Sequence, residues 1–220
     1  MCYAIDLHQP APVVERASTL LDAREHVNAD ARRGDAARRY VVAHGALREI
    51  LAAHAGVSPD AIRFRYRCAV CGSNEHGRPE LDAAAHRDAP SFSLSHSREV
   101  AVVAVVAAGP HDRGGDEQRV GVDVETRRAR HNLDRLAMRA LHDEELDRWR
   151  ALPPADQLTA FLVAWTAKEA YLKLLGVGLT RRLRDVPTND AQTWVDWPTG
   201  CVTSVVAATR GPFTTVQWVP

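Results

Sequence analysis

The alternation of apolar and polar positions divides the chain into helices and strands before any chemistry is considered. From Asp35 to Ala55, Tyr40, Val41, Ala43, Leu47, Ile50 and Leu51 recur at helical spacing, and Gly56 ends the run. Ile62 to Arg67 alternates Ile, Phe and Tyr with Arg63, Arg65 and Arg67, as a half-exposed strand does. Phe92 to Ser97 leads through Arg98-Glu99 into Val100 to Ala107, a continuous apolar run suited to a strand buried on both faces. Gly109 to Gln118 reads as a hairpin-like connection to a further strand, Val120 to Glu125. Leu133 to Arg150 is amphipathic, with Leu133, Leu136, Ala140, Leu141 and Trp149 near one stripe. After Pro153-Pro154 a long helix is expected from Ala155 to Leu175, closed by Gly176-Val177-Gly178. Cys201 to Ala208 and Thr214 to Val219 read as strands, Cys68 to Pro79 as a loop, and the stretch to Ser18 as irregular with one edge strand. Each half, near residues 1–110 and 115–220, combines a long helix with several strands, which suggests two α+β lobes.

Composition narrows the class. Lys+Arg and Asp+Glu each total 28, so no overall basic field draws the molecule to nucleic acid. No apolar run approaches a membrane span, and the N-terminus lacks a basic-then-apolar leader pattern. Four cysteines in 220 residues argue against a disulfide scaffold. A cytoplasmic protein with no membrane association is expected.

The chemistry concentrates in Gly121-Val122-Asp123-Val124-Glu125 and Trp165-Thr166-Ala167-Lys168-Glu169-Ala170. On a strand Asp123 and Glu125 share a face, and adjacent carboxylates repel unless a cation lies between them. Bare oxygen ligands suit a hard divalent ion such as magnesium. On the helix, Trp165, Glu169 and Lys173 fall along one face and Lys168 at a neighbouring angle. Alone they make an ordinary surface pair beside a core Trp. Together with Asp123 and Glu125, the lysines suit a phosphate-bearing ligand. Ser95 and His96 point apart on a strand and are not a nucleophile–base couple; they serve either local packing or phosphate binding. Cys68, Cys71 and His76 look like half a zinc site, with His86 the only nearby candidate for a fourth ligand and no second C-x-x-C, so buried or idle thiols are the preferred reading and zinc the alternative. Neither a Walker loop nor a G-x-G-x-x-G occurs.

Taken in order, His76-Gly77-Arg78-Pro79, Phe92 to Ser97, Gly121 to Glu125, and Trp165 to Lys173 followed by Gly176-Val177-Gly178-Leu179 resemble the blocks of the Sfp-type 4′-phosphopantetheinyl transferases, in the subgroup whose helix carries W-x-x-K-E-A. Arg38-Arg39-Tyr40 through Ala46-Leu47-Arg48 looks like that family's first helix. The resemblance implies a pseudo-twofold α/β monomer of two similar lobes, 1–112 and 113–220, each a small antiparallel sheet packed with a long helix, with the site in the cleft. It implies magnesium-dependent transfer of phosphopantetheine from coenzyme A to a serine of an apo acyl or peptidyl carrier protein, as in secondary metabolism, releasing adenosine 3′,5′-bisphosphate. By the same resemblance Asp123, Glu125 and Glu169 would hold the metal, and Glu169 would take the serine proton. Lys168 and Lys173 would contact the pyrophosphate and assist the leaving group. Arg78 and Pro79 would border the adenine, with Ser95 and His96 at the 3′-phosphate; Arg24, Arg32, Arg33 and Arg39 compete for a further contact there, of which Arg24 and Arg39 are preferred. The segment from Asn132 to Arg150 would meet the acidic carrier, steered by Arg127, Arg128 or Arg139, with Met138 as an apolar contact or a core residue. The family pattern F-N-x-S-H-S has Asn where this chain has Ser93. The competing expectation is a non-catalytic coenzyme A-binding or zinc-stabilised interaction module.

Overall fold

The computed structural model describes residues 1–68, 70–86, 89–107, 119–186, 191–208 and 212–218. The connection expected over Gly109 to Gln118 lies outside them, as does Val219. Two sheets meet face to face, and each carries one long helix on its outer side. The first sheet runs β4 (Ser91–Ser97), β5 (Val100–Val106), β1 (Cys2–Asp6), β9 (Thr215–Gln217). All its pairings are antiparallel except β1 with β9. The other main sheet runs β6 (Val120–Thr126), β8 (Cys201–Ala207), β7 (Gln192–Val195), all antiparallel. A separate ribbon pairs β2 (Phe64–Arg67) with β3 (Arg78–Leu81). The architecture is mixed α/β.

The apolar run of β5 is explained by burial on both faces. Ala101, Val103 and Val105 pack toward α3 (Asp35–Ala55), with Leu47, Ile50 and Leu51. Val102 and Ala104 face the other way, against Val120, Val122, Val124 and Val205. Because those three valines of β6 look toward the first sheet, strand alternation turns Gly121, Asp123 and Glu125 toward α6 (Pro154–Leu175). Gly121 lets that helix come very close. A Cβ there would lie 1.9 Å from the Ala170 carbonyl oxygen and 2.5 Å from the Leu174 nitrogen. The glycine of the acidic motif therefore sets how near the lysines of α6 come to Asp123.

Three expectations change. The proline-bearing N-terminal stretch is a two-sided strand, β1, followed by the helix α1 (Ala11–Thr19). Pro10 and Pro12 flank the helix start, where a missing N–H costs nothing, so they open a helix instead of preventing one. A further helix, α2 (Ala23–Asp30), begins at a capping box of Asp22 and Glu25. The amphipathic segment 133–150 is two helices, α4 (Leu133–Ala140) and α5 (Asp143–Arg150). His142 divides it: its Nδ1 accepts from the Glu144 and Glu145 amides, and Glu145 returns a bond to the His142 amide. The C-terminal apolar segment leaves the second half of the chain and, as β9, extends the first sheet.

Candidate active site

Asp123 points from β6 at the last turns of α6, and Ser95 reaches it from β4. The Ser95 hydroxyl donates to Asp123 Oδ1 at 2.8 Å, and Lys173 Nζ donates to both Ser95 Oγ and Asp123 Oδ1 at 2.7 Å. Ser95 belongs to a series. Among the described residues, neither β4 nor β6 has a strand partner on the edge it turns to the other. Ser93 Oγ accepts from the Val122 amide, Ser95 Oγ from Val124 and Ser97 Oγ from Thr126, at 3.1, 3.4 and 3.2 Å. Three hydroxyls at every second residue thus satisfy the open edge of β6 and join the sheets without a shared ladder. Ser93, standing where the family pattern has Asn, makes the first of these bonds. The series was legible as S-x-S-x-S on a strand, and the sequence reading missed it.

Asp123 is 6% exposed, and its second oxygen, Oδ2, is buried with no hydrogen-bond partner among the described residues. Glu169 lies one turn before Lys173 on the same helix face. Burial pushes its carboxyl above the ordinary range, the charges of Asp123 and Glu125 push further, and Lys173 opposes them. Glu125 is held separately, accepting from Arg130 Nη2 at 2.8 Å and from the Ser97 hydroxyl at 3.2 Å. The three acids do not converge like the ligands of one bound ion. Among the described residues the set that brings three ligand atoms within 4.8 Å of one another is Cys68, Cys71 and His76. Asp123 and Glu169 nevertheless suit a hard cation: one offers an orphaned buried oxygen, the other a carboxylate that lacks compensating charge.

Lys168 requires a correction. Its side chain is 0% exposed, and its ammonium donates to Glu145 Oε2 at 2.6 Å and to the Ala140 carbonyl at 3.0 Å. It ties α6 to α4 and α5 and has no charge to spare for a pyrophosphate. Five residues along a helix amount to a rotation of 500°, so Lys168 and Lys173 point in different directions.

The site opens into a cleft of about 810 Å³, with Arg78, Pro79, Ser93, Lys173 and Gly176 among its walls. Arg78 lines it with its stem, but its guanidinium is spent on the carbonyls of Lys173, Leu174, Phe92 and Val120 and on Ser91 Oγ, at 2.8–3.2 Å. It closes the C-terminus of α6 and straps both sheets together. Burial lowers its pKa to about 10.

A cationic group gathers near His96. Burial, then the charges of Lys173, His44, Arg32 and Arg39, push its imidazole down. The His96 side chain is solvent-exposed, within reach of these positive charges. Arg32 is one of the arginines expected to compete for the 3′-phosphate, whereas nothing in the sequence singles out His44. Arg24 is committed elsewhere, donating to the Glu75 carbonyl at 2.7 Å with its guanidinium 3.6 Å from the centre of the Tyr66 ring.

Residues 119–203, which include Asp123, Glu125, Glu169 and Lys173, match the model of the 4′-phosphopantetheinyl transferase superfamily. Residues 119–203 thus carry the domain of that superfamily. It is 32% identical over 144 residues to the 4′-phosphopantetheinyl transferase HetI of Nostoc sp., covering 66% of this chain and 54% of that protein. It is 34% identical over 176 residues to the L-aminoadipate-semialdehyde dehydrogenase-phosphopantetheinyl transferase of Eremothecium gossypii, covering 77% and 56%. With the 4′-phosphopantetheinyl transferase gsp of Aneurinibacillus migulanus it shares 28% identity over 124 residues, 56% and 42% of the two chains. The chain thus spans about half the length of these curated relatives. The superfamily match begins after Ser95, which the fold brings to Asp123. Among the described residues, no helix is long and apolar enough to cross a membrane.

Proposed function

We propose that this protein transfers 4′-phosphopantetheine from coenzyme A to a serine hydroxyl of an apo carrier protein, releasing adenosine 3′,5′-bisphosphate. The observation that carries the reading is the Lys173–Ser95–Asp123 cluster beside Glu169 at the wall of the cleft. Asp123 through its free oxygen and Glu169 are the residues that would hold magnesium, with Glu125 behind them on Arg130. Bound there, the ion would neutralise charge that develops on the pyrophosphate oxygens.

The chain's own groups supply the rest. Lys173, whose side chain is 32% exposed, presents an ammonium to the leaving phosphate. Glu169 is the base: its raised pKa makes it a better proton acceptor than an ordinary glutamate once ionised. His96, His44, Arg32 and Arg39 form a basic rim for the 3′-phosphate. Pro79 and the Arg78 stem would border the adenine, which leaves the Arg78 guanidinium in place. Lys168 and Arg24 take no part in this scheme. On α4, Met138 is 47% exposed and, with Arg139 beside it, offers an apolar and basic contact for an acidic carrier. The reading includes a cytoplasmic monomer working at the junction of the spans 1–112 and 113–220, with β9 crossing back between them.

Incubation with coenzyme A, magnesium and apo acyl or peptidyl carrier proteins, followed by intact-mass measurement, tests the proposal. We expect a gain of one phosphopantetheine on the carrier serine. No gain across carriers of the fatty-acid, polyketide and nonribosomal-peptide classes would overturn it.

A further inference from the structure

One wall of the cleft carries chemistry that the proposed transfer does not use. The loop between β2 and β3 contains Cys68, Cys71 and His76, and all three line the cavity. Their ligand atoms lie within 4.8 Å of one another, and Cys71 Sγ is 3.3 Å from His76 Nε2. For tetrahedral zinc with ordinary bond lengths, sulfur–sulfur and sulfur–nitrogen separations of roughly 3.8 and 3.5 Å are expected. The spread in this loop is compatible with those edges.

The backbone has the form of a metal knuckle. Cys68 and Cys71 have C-x-x-C spacing, and Gly72 follows at φ 74°. The Gly72 amide donates to the Cys68 carbonyl and the Cys68 amide to that of Ser73, both at 2.9 Å. Gly77 then returns the loop to β2 at φ 110°, where a Cβ would lie 2.3 Å from the Arg67 carbonyl oxygen. His86 is not the fourth ligand: its Nε2 accepts from the Arg63 amide at 2.9 Å, and the ring is buried.

We infer that Cys68, Cys71 and His76 bind one zinc ion, with a fourth position left to solvent on the cleft side. Two thiolates and an imidazole select a soft d¹⁰ cation over magnesium, so this centre is chemically separate from the carboxylates on β6 and α6. Its role would be structural. It closes the β2–β3 loop immediately before Gly77 and Arg78, and Arg78 in turn fastens the end of α6. The inference does not rest on the transferase reading.

Titration of chelator-stripped, reduced protein with cobalt(II) tests it directly. We expect one equivalent to produce thiolate-to-cobalt charge transfer and tetrahedral d–d bands, which zinc then abolishes. Cys71→Ser and His76→Ala should each weaken binding more than about 100-fold, since losing a direct ligand costs more than losing an outer partner. Both side chains are exposed, so neither change threatens the fold, and circular dichroism checks this. Cys201→Ala, which removes a buried thiol elsewhere, should leave the bands unchanged. Absence of the bands, their survival in both ligand variants, or a Cys68–Cys71 disulfide as the stable form of the purified protein would each overturn the assignment.

Discussion

Glu25 and Glu169 are both withdrawn from water beside basic side chains, yet their surroundings push them in opposite directions. Burial raises the Glu25 carboxyl, but bonds from His44 and the Asp22 amide, with the charge of Arg48, carry it below the ordinary value. Arg48 donates to Glu25 at 2.7 Å, to Asp22 at 2.8 Å and to the Ile62 carbonyl at 3.0 Å. Each charge there meets an opposite one. Around Glu169 burial also raises the carboxyl, and Asp123 and Glu125 add to the rise. Asp123 keeps a buried oxygen with no hydrogen-bond partner among the described residues. A network closed on itself holds α2 and α3 together, whereas one left short of positive charge is prepared for something that arrives from outside. Lys168 with Glu145 is of the first kind, although its sequence neighbours place it with the second.

The largest effect should come from opening the second network further. Asp123→Asn keeps an acceptor for Ser95 but removes the charge. We expect carrier modification to fall on the order of 10³-fold, the upper end of what one preorganised electrostatic contact is worth, while the melting midpoint stays within a few degrees. Comparable activity in this variant would remove Asp123 from the mechanism. Breaking the closed network should show the reverse. Arg48→Met leaves Glu25 buried without its arginine and should cost about 3–5 kcal/mol in denaturant unfolding. A loss below about 1 kcal/mol would mean that the network is not the brace we describe.

The smallest effect sharpens the contrast through pH. Glu169 has a raised pKa in the folded state, so the folded form holds its proton longer than the unfolded chain does. Its contribution is fully present below the ordinary value of 4.5 and is lost as pH rises through the folded pKa. In chelated, metal-free buffer, Glu169→Gln should therefore melt higher than the parent at pH 7, with the gap closing as pH falls toward 4.5. Glu25 has a depressed pKa, so its contribution is present above 4.5 and lost as pH falls through the folded value. Glu25→Gln should melt lower at pH 7 and converge with the parent in acid. Thermal melts across that range decide both signs.

The sequence determined much on its own. The alternation in Val120 to Glu125 was enough to turn Asp123 and Glu125 to one side, because strand geometry is local. The apolar run of β5 announced burial on both faces, and the spacing of α3 and α6 announced two long helices. The order of the motifs pointed to the superfamily, and the family model agrees over 119–203. Only the tertiary structure decided which charges meet. Lys168 and Lys173 belong to one motif, but α4 and α5 close over the first while the cleft leaves the second open. Arg78 carries a site residue's place in the motif and a brace's hydrogen bonds. Ser95 of β4 reaches Asp123 because two sheet edges face each other across 28 residues of chain. Hydrogen bonds between distant segments depend on where the chain returns, and a local pattern of side chains does not contain that information.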